Sequence, residues 1–263
     1  MTTRAIPSSL APLLQQMELE QPRVVSTSDL CAWVVEAGVT WPVDVVVRRL
    51  RERGWLLDLK TRGVWEFAPA ARAGAYGSGD PLIELRATLE RNPHAPFIVA
   101  EESAAYLLGL TSRRPSREVI GAPPGVSIPT ALESYRIARW TPSATPVERD
   151  GLPVWTVSTL IASMAAVPSN FRDWPNAGEW LPSAIGDLAA DAIEEELRGR
   201  PRAAWARAAY LVDRGGSADL AEAILSHAPA GTGPFYLGRR HLSGLYDSKY
   251  DVVDSTGVEV GGA

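Results

Sequence analysis

The chain has 263 residues, of which 46% are hydrophobic and 22% charged, as is usual for a globular protein of one large domain or two ordinary ones. Its formal net charge of −5 argues against a generally basic nucleic-acid binder, and no apolar run approaches the roughly 18 residues that a membrane helix needs. Residues 1–10 lack the apolar core of a secretory signal and the single cysteine, Cys31, cannot form an internal disulfide, so we expect a cytoplasmic protein with no membrane partner.

Basic residues are concentrated in one stretch of the chain. Residues 1–68 hold eight Arg or Lys and eight Asp or Glu, but six of these basic residues fall within residues 45–63, where only Glu52 and Asp58 oppose them. Such a stretch in an otherwise neutral-to-acidic chain indicates a localised contact with a polyanion rather than general affinity.

The first 69 residues begin with a helix, a short strand and a second helix. Apolar residues at helical spacing predict the first helix over residues 10–20, and a β-branched pair predicts the strand at residues 24–25. Hydroxyl residues at 26–28 supply a cap for the second helix, which we expect to end at Gly38.

A third helix and a hairpin complete this part. Thr40 is the predicted cap of the helix, which ends at Gly54, and WLLDLK and VWEFA predict two strands that are joined across Thr61-Arg62-Gly63. This order of elements is that of a winged helix-turn-helix, so we assign residues 1–69 to such a domain. The predicted core side of the third helix consists of Val43, Val46, Val47 and Leu50.

The outward side of the third helix has the residue types of a DNA-recognition helix. Arg48 and Arg49 present planar guanidinium groups that can bind guanine edges or phosphates in a major groove. Arg53 at the helix end, and Lys60 and Arg62 in the hairpin, are placed to meet phosphates. The backbone N–H groups at the helix start, beside Thr40 and Trp41, favour an anion. The alternative is an ordinary solvated face.

A glycine-containing segment of small and polar residues, 70–80, is the predicted linker to a larger domain at residues 81–263. That domain is expected to be of mixed α/β type with a mainly helical late section, so the whole chain is predicted to be α+β. Its predicted helices lie near residues 81–91, 100–109, 157–167, 183–198, 201–214 and 217–227, and its strands near residues 97–99, 117–120, 134–140, 153–156, 234–237 and 249–253.

The most acidic segment, residues 179–197, is predicted to form a helix whose acids point mostly outward, either as a docking face for a basic protein or as a plain solvated surface. Its acids are Glu179, Asp187, Asp191, Glu194, Glu195 and Glu196. We expect no metal site and no cofactor, because the three histidines (His94, His227 and His241) are far apart in sequence and no pair has ligand spacing. A DSK sequence at residues 247–249 suggests a metal-dependent nuclease, but no acidic partner on a preceding strand accompanies it.

Several segments together resemble AbiEi-type antitoxins of type IV toxin–antitoxin systems, and actinobacterial members in particular. The segments are the winged-helix stretch from TSDLCAWVVEAG to VWEFAP, the following DPLIELRATLERNPHAPFIVAEESAAYLLGL, and the late GRPRAAWARAAYLVDRGG. They occur in the same order and span most of the chain.

This resemblance implies an antitoxin, not an enzyme, whose N-terminal domain represses its own operon at inverted repeats of double-stranded DNA. Its C-terminal domain would counter, directly or indirectly, a nucleotidyltransferase-like toxin encoded beside it. The residues that match the family's recognition-helix region are Thr40, Trp41, Asp44, Val45, Arg48 and Arg49, and those that match its wing are Lys60, Thr61 and Arg62. Two alternatives stay open: a winged-helix transcription factor that senses a ligand, and an enzyme that is targeted to DNA.

Overall fold

A computed structural model describes residues 8–72, 77–186, 188–238 and 243–257. Within these ranges the chain has ten α-helices and eleven strands in three sheets, which confirms the prediction of a mixed α+β protein. No helix in the described ranges is both long enough and apolar enough to cross a membrane. Contacts divide the chain into a first unit, Met1–Pro96 with Ser127–Ser134, and a second unit, Phe97–Val126 with Tyr135–Ala263.

The first unit contains four helices and one three-stranded sheet. Strands β1 and β2 both pair antiparallel with β3, so the strand order is β1-β3-β2. Short 3₁₀ turns lie at Ser8–Leu10 and Thr130–Leu132. The elements in chain order are α1 (Ala11–Glu20), β1 (Val24–Ser26), α2 (Thr27–Glu36), α3 (Val43–Glu52), β2 (Leu56–Asp58), β3 (Val64–Phe67) and α4 (Ile83–Arg91).

The predicted helices and hairpin of the first unit form around one hydrophobic core. Ser26 caps α2 by accepting a hydrogen bond from the Asp29 N–H, while the Asp29 carboxylate accepts one from the Ser26 N–H. Gly38 has the positive φ, +64°, that the turn after α2 requires. The prediction that Thr40 caps α3 is wrong: Pro42 is the N-cap residue, and no side chain caps that helix end. The buried core includes Leu10, Leu13, Leu14, Met17, Val25, Leu30, Val46, Val47, Leu50 and Phe67.

Helix α4 belongs to the first unit, where it packs on β1 and β3. Its start is fixed by Asp80, whose carboxylate accepts hydrogen bonds from the Leu82 N–H at 2.9 Å and from Arg86 at 2.7 Å. Burial opposes ionisation of Asp80, but these two donors outweigh it and hold the pKa of Asp80 below its ordinary value. The division by contacts therefore differs from the predicted boundary at residues 70–80, because an apolar helical pattern does not reveal which sheet the helix covers.

The second unit is larger and contains a five-stranded sheet of order β6-β5-β4-β8-β7. Strands β4 and β8 pair parallel, as do β5 and β6, and the remaining pairs are antiparallel. The elements up to the first long helix are β4 (Ile98–Val99), α5 (Glu101–Leu107), β5 (Val119–Ala122), β6 (Arg136–Arg139), β7 (Val147–Arg149), β8 (Leu152–Val154) and α6 (Val157–Ala166).

The late section is mainly helical, as expected, and ends in a small sheet of order β10-β11-β9. Helix α9 packs against α6 and α10 and is buried along most of its length. The elements are α7 (Trp174–Gly186), α8 (Ala190–Leu197), α9 (Arg202–Arg214), α10 (Ala218–Ser226), β9 (Phe235–Leu237), β10 (Leu245–Asp247) and β11 (Val252–Asp254).

The prediction of one helix for the acidic segment is wrong, and one of its acids is an exception to the predicted outward orientation. The single helix over residues 183–198 is in fact the end of α7 and the whole of α8. Glu196 does not point outward: it is 2% exposed and accepts hydrogen bonds from Trp140 Nε1, Thr159 Oγ1 and two backbone N–H groups. Glu179, Asp191 and Glu195 are exposed as predicted, and Asp187 lies outside the described residues.

Glu101, at the start of α5, is a fully buried acid with a positive φ of +48°. Its Oε1 accepts a hydrogen bond from Ser163 at 2.7 Å, and its Oε2 has no hydrogen-bond partner among the described residues. Burial raises the pKa of Glu101 to about 8, the neighbouring Glu102 adds to the shift, and the hydrogen bond from Ser163 acts against it. The folded protein therefore keeps Glu101 protonated at neutral pH.

Replacement of Glu101 by Gln is expected to change the pH dependence of stability. The folded state holds this proton up to a pKa of about 8, whereas the unfolded chain releases it near 4.5, so the free energy of unfolding falls as pH rises between these values. Glu101→Gln removes this loss, and urea unfolding should show a gain over the natural chain that grows between pH 5 and pH 8, by on the order of 1–3 kcal/mol. Glu179→Gln, at an exposed position, is the control. A gain that does not vary with pH would contradict the assignment.

Candidate nucleic-acid interface

The outward side of α3 carries the exposed charges that the sequence predicts. Its inner side packs into the core, whereas Asp44 and Arg48 are exposed and Val45 is half-buried. The Arg48 guanidinium makes no ion pair or hydrogen bond with any residue in the described ranges, so its N–H groups are available to a ligand. A helix side of this kind can enter a major groove without disturbing the packing behind it.

Arg49 is held by an aromatic side chain. Its Cζ lies 4.8 Å from the centroid of the Trp41 ring, within the range of a cation–π interaction, and Trp41 itself packs against the core. A guanidinium that rests on a ring keeps N–H groups along its own plane, so this contact orients Arg49 without using its hydrogen-bonding capacity. Thr40 is exposed just before the start of α3.

The remaining arginines of α3 differ from Arg48 and Arg49. Arg51 forms an ion pair with Asp58 on β2, with 2.6 Å between Nη2 and Oδ2. The pKa of Arg51 lies above its ordinary value, mainly because its guanidinium donates a hydrogen bond to Asp58. Because both side chains are largely exposed, this pair contributes at most about 1 kcal/mol to stability. Arg53 is the half-buried C-cap residue of the helix.

The turn of the hairpin is fixed by α4 of the same unit. The Lys60 N–H donates to Glu84 Oε1 at 2.8 Å, and the Thr61 hydroxyl donates to Glu84 Oε2 at 3.3 Å. The other side of the turn is tied to α2, since the Thr27 N–H and hydroxyl both donate to the Gly63 carbonyl, at 3.0 and 3.1 Å. The turn therefore has a defined conformation before any ligand binds.

Within this turn the side chains divide into one buried group and two exposed ones. Thr61 is 7% exposed and its hydroxyl lies 3.4 Å from that of Thr88, so its side chain belongs to the packing under the turn and not to the outer surface. Lys60 and Arg62 are exposed, and neither side chain has a hydrogen bond or ion pair to a residue that the structure describes. The outer surface thus offers two cations on a braced loop, which suits contact with phosphates.

Sequence patterns did not identify two contacts that shape this surface. Glu84 lies in a helix that was predicted to belong to another domain, and no sequence signal links it to the hairpin turn. Arg49 stacks on Trp41, which is eight residues earlier in the chain. Trp41 lies before the start of α3, so the spacing of residues along a helix could not predict this contact.

The other chemistry considered from the sequence does not assemble into a site. No group of three or more metal-ligating side chains occurs in the described residues, and His241 lies outside them. His227 Nδ1 lies 2.9 Å from a Glu194 carboxylate oxygen. Lys249, from the nuclease-like DSK sequence, lies 3.9 Å from Asp213 and 3.6 Å from Glu222, as expected for surface ion pairs.

Comparison with known protein families gives a match for the middle part of the chain, which begins just after α4. Residues 96–214 match the family model of the AbiEi antitoxin C-terminal domain, which covers the segment from β4 to α9. The match confirms the resemblance to AbiEi-type antitoxins and supports an antitoxin role in a toxin–antitoxin system. Such antitoxins are a regulatory family and not an enzyme family.

The chain is also similar to a solved structure over nearly its whole length. The crystal structure of the RV2827C protein from Mycobacterium tuberculosis is 29% identical, with a TM-score of 0.80, and the alignment covers 98% of this chain and 94% of that one. No curated protein matches the chain. The similarity extends over both units, so the combination of the two is shared with at least one other protein.

Proposed function

We propose that the chain is the antitoxin of a type IV toxin–antitoxin operon and the DNA-binding repressor of that operon, because residues 96–214 match the family model of the AbiEi antitoxin C-terminal domain. The first unit binds operator DNA as a winged helix-turn-helix, and the second unit counters a nucleotidyltransferase-like toxin that is encoded beside it. The observation that carries the DNA-binding part is the exposed, unpaired Arg48 on a helix followed by a braced basic hairpin.

The order and pairing of elements support the winged-helix assignment. Helix α1, strand β1, helices α2 and α3 and the β2–β3 hairpin follow one another, and β1 closes the sheet beside β3. In a winged helix-turn-helix the last helix before the hairpin enters the major groove, which here is α3. The ion pair between Arg51 and Asp58 connects this helix to the first strand of the hairpin.

Arg48 and Arg49 are the proposed base readers, and Lys60 and Arg62 the proposed phosphate contacts. Arg48 is free to form a bidentate contact with a guanine, and Arg49 is held on Trp41 so that less side-chain entropy is lost on binding. Thr61 is not a proposed DNA contact, because its side chain is buried. It helps to position the turn through its hydrogen bond to Glu84.

The limited charge of the first unit favours binding by paired copies. Residues 1–68 are neutral overall, so one copy neutralises few phosphates and binds DNA of any sequence weakly. Two copies on the two halves of an inverted repeat add their base contacts, which raises affinity for the operator far more than for other DNA.

Replacement of both Arg48 and Arg49 by Ala should abolish specific binding to the DNA upstream of the operon. Each bidentate arginine–guanine contact contributes about 1–3 kcal/mol of discrimination, so we expect a loss of roughly a hundredfold or more in a gel-shift titration. Arg51→Ala is the matched control, because it removes a charge of the same helix that Asp58 already neutralises. Undiminished binding by the double variant would exclude α3 as the recognition helix.

Removal of the wing cations should weaken binding to all sequences by a similar factor. For Lys60→Ala or Arg62→Ala we expect the slope of log affinity against log salt concentration to fall by roughly one ion for each lost phosphate contact. Fluorescence anisotropy at several salt concentrations measures this slope. Arg198→Ala removes one exposed arginine of the second unit and should leave it unchanged. A slope that stays the same in both wing variants would show that the hairpin does not touch phosphate.

The antitoxin role should be separable from repression in the full chain. We expect co-expression of the Arg48→Ala, Arg49→Ala variant to rescue growth of cells that express the neighbouring toxin as well as the natural chain does, because residues 96–214 are unchanged. A reporter under the operon's promoter should lose repression in the same cells. Failure of the natural chain to rescue growth would overturn the antitoxin proposal.

A further inference from the structure

The second unit contains a cavity of about 300 Å³ that has no role in the proposed repression. Its wall is formed by α5, by the loop between α5 and β5, by the first residue of β6 and by the loop before α7. This volume lies at the lower end of the range for small-molecule sites. The lining residues are Glu102, Arg113, Arg114, Pro115, Ser116, Arg117, Arg136, Arg172 and Asp173, and we call this cavity the arginine pocket.

The arginine pocket is strongly basic in a chain with a net charge of −5. Five of its nine lining residues are arginines and two are acids, so the lining has an excess of three positive charges. Two acids outside the lining, Glu118 paired with Arg114 and Glu179 lying 4.0 Å from Arg113, lower the excess to one. The lining therefore retains one uncompensated positive charge beside an open cavity.

Buried acids hold two of the arginines in place. Arg136, whose side chain is 17% exposed, pairs with Glu102, and Arg114 pairs through Nε with Glu118 at 2.5 Å. Glu118 is itself fixed by a hydrogen bond from Ser103. A guanidinium has five N–H donors, so each arginine keeps further donors after these contacts. The pairs therefore orient the arginines in advance without using all their hydrogen-bonding capacity.

The other arginines surround these two. Arg117 donates to the Tyr135 carbonyl at 2.9 Å, and Arg113 lies 4.0 Å from Glu179 at the pocket's outer side. The backbone N–H of Arg172 donates to Glu102, but its exposed guanidinium has no hydrogen bond or ion pair to any residue in the described ranges. Arg172 is thus an exposed lining cation without a partner among the described residues, whereas Arg114 and Arg136 are held by ion pairs.

We propose that the arginine pocket binds the phosphate groups of a nucleotide, either a free nucleoside triphosphate or the phosphorylated end of an RNA strand. Several guanidinium groups converge on one small volume, and a planar guanidinium matches the oxygens of phosphate in pairs. A terminal phosphate offers three oxygens where a carboxylate offers two, so a phosphate can accept hydrogen bonds from more than one of these guanidinium groups at once. The pocket is too small for a duplex, so the ligand enters by a terminal group.

The test is a binding titration of the full chain that carries Arg48→Ala and Arg49→Ala, so that the first unit does not contribute. The probes are ATP, inorganic triphosphate, and a short single-stranded RNA with either a 5′ phosphate or a 5′ hydroxyl. We expect calorimetry to detect binding of ATP and triphosphate. Tighter binding of the 5′-phosphorylated RNA than of ATP, with loss of binding for the 5′-hydroxyl form, would assign the ligand to an RNA end.

Variants at two lining residues test whether the probes bind in the arginine pocket. Arg172→Ala removes the unpaired guanidinium and should weaken binding at least tenfold with no change in thermal stability, and Arg172→Lys should recover part of it. Ser116→Glu introduces a negative charge at an exposed lining position and should abolish binding. Arg198→Ala, an exposed arginine outside the pocket, should leave binding unchanged.

Three results would overturn the proposal. One is no binding of any probe at millimolar concentration. Another is an equal effect of Arg172→Ala and Arg198→Ala, which would indicate general charge attraction. The third is equally tight binding of a glutamate oligomer of the same charge, which would indicate an acidic protein segment as the occupant. None of these depends on whether the chain represses its operon or neutralises a toxin.

Discussion

The second unit depends on acids that are buried and paired. Glu196 accepts hydrogen bonds from Trp140, from Thr159 and from the N–H groups of Ser143 and Ala144, and so joins α8 to α6 and to the chain that leaves β6. A buried carboxylate without donors would cost several kcal/mol, so these contacts must form together for the unit to fold. The same requirement applies to Glu102 and Glu118, and it fixes the arginines around them.

The first unit has an apolar core, and its polar contacts include the Asp80–Arg86 and Glu66–Arg72 ion pairs as well as hydrogen bonds that fix its loops. Ser26 with Asp29 fixes the start of α2, and Glu84 fixes the hairpin turn from outside the apolar core. Because these contacts use backbone N–H groups as donors, they set the conformation of loops without consuming the side chains of Arg48, Lys60 or Arg62. The carboxylates of Asp29 and Glu84 accept hydrogen bonds from backbone N–H groups, so they do not form ion pairs with these three cations.

Local patterns in the sequence were sufficient for most of the fold. Helical spacing located α1, α2, α3 and α9, and alternation located the β2–β3 hairpin, because in each case one face of the element is buried against its own unit. A strand near β8 was predicted at residues 153–156, but β7 and the β7–β8 hairpin were missed, although the turn Asp150-Gly151 is a strong signal with positive φ at both residues. Strand β7 has three residues, which is too short to show alternation.

Contacts between distant segments could not be predicted in this way. The burial of Glu196 follows from donors more than thirty residues away, which leave no trace in the local composition. For the same reason the acidic segment looked uniform in sequence, although Glu196 is buried and Glu195 is exposed. The arginine pocket has the same origin, since Arg114, Arg136 and Arg172 come from three separate segments. Only the closely spaced arginines of residues 112–117 could have suggested it.

Both proposed binding sites depend on where the positive charges lie in the chain more than on how many there are. A chain with a net charge of −5 repels nucleic acid at long range, so non-specific association is weak wherever arginines are not concentrated. In the proposed arrangement, α3 and the hairpin contact DNA through a few placed cations, and the arginine pocket, of about 300 Å³, admits only the terminal group of a ligand. A uniformly basic protein of the same fold would bind both proposed ligands more tightly, but it would also bind every other polyanion in the cell, and the proposed operator binding would lose that competition.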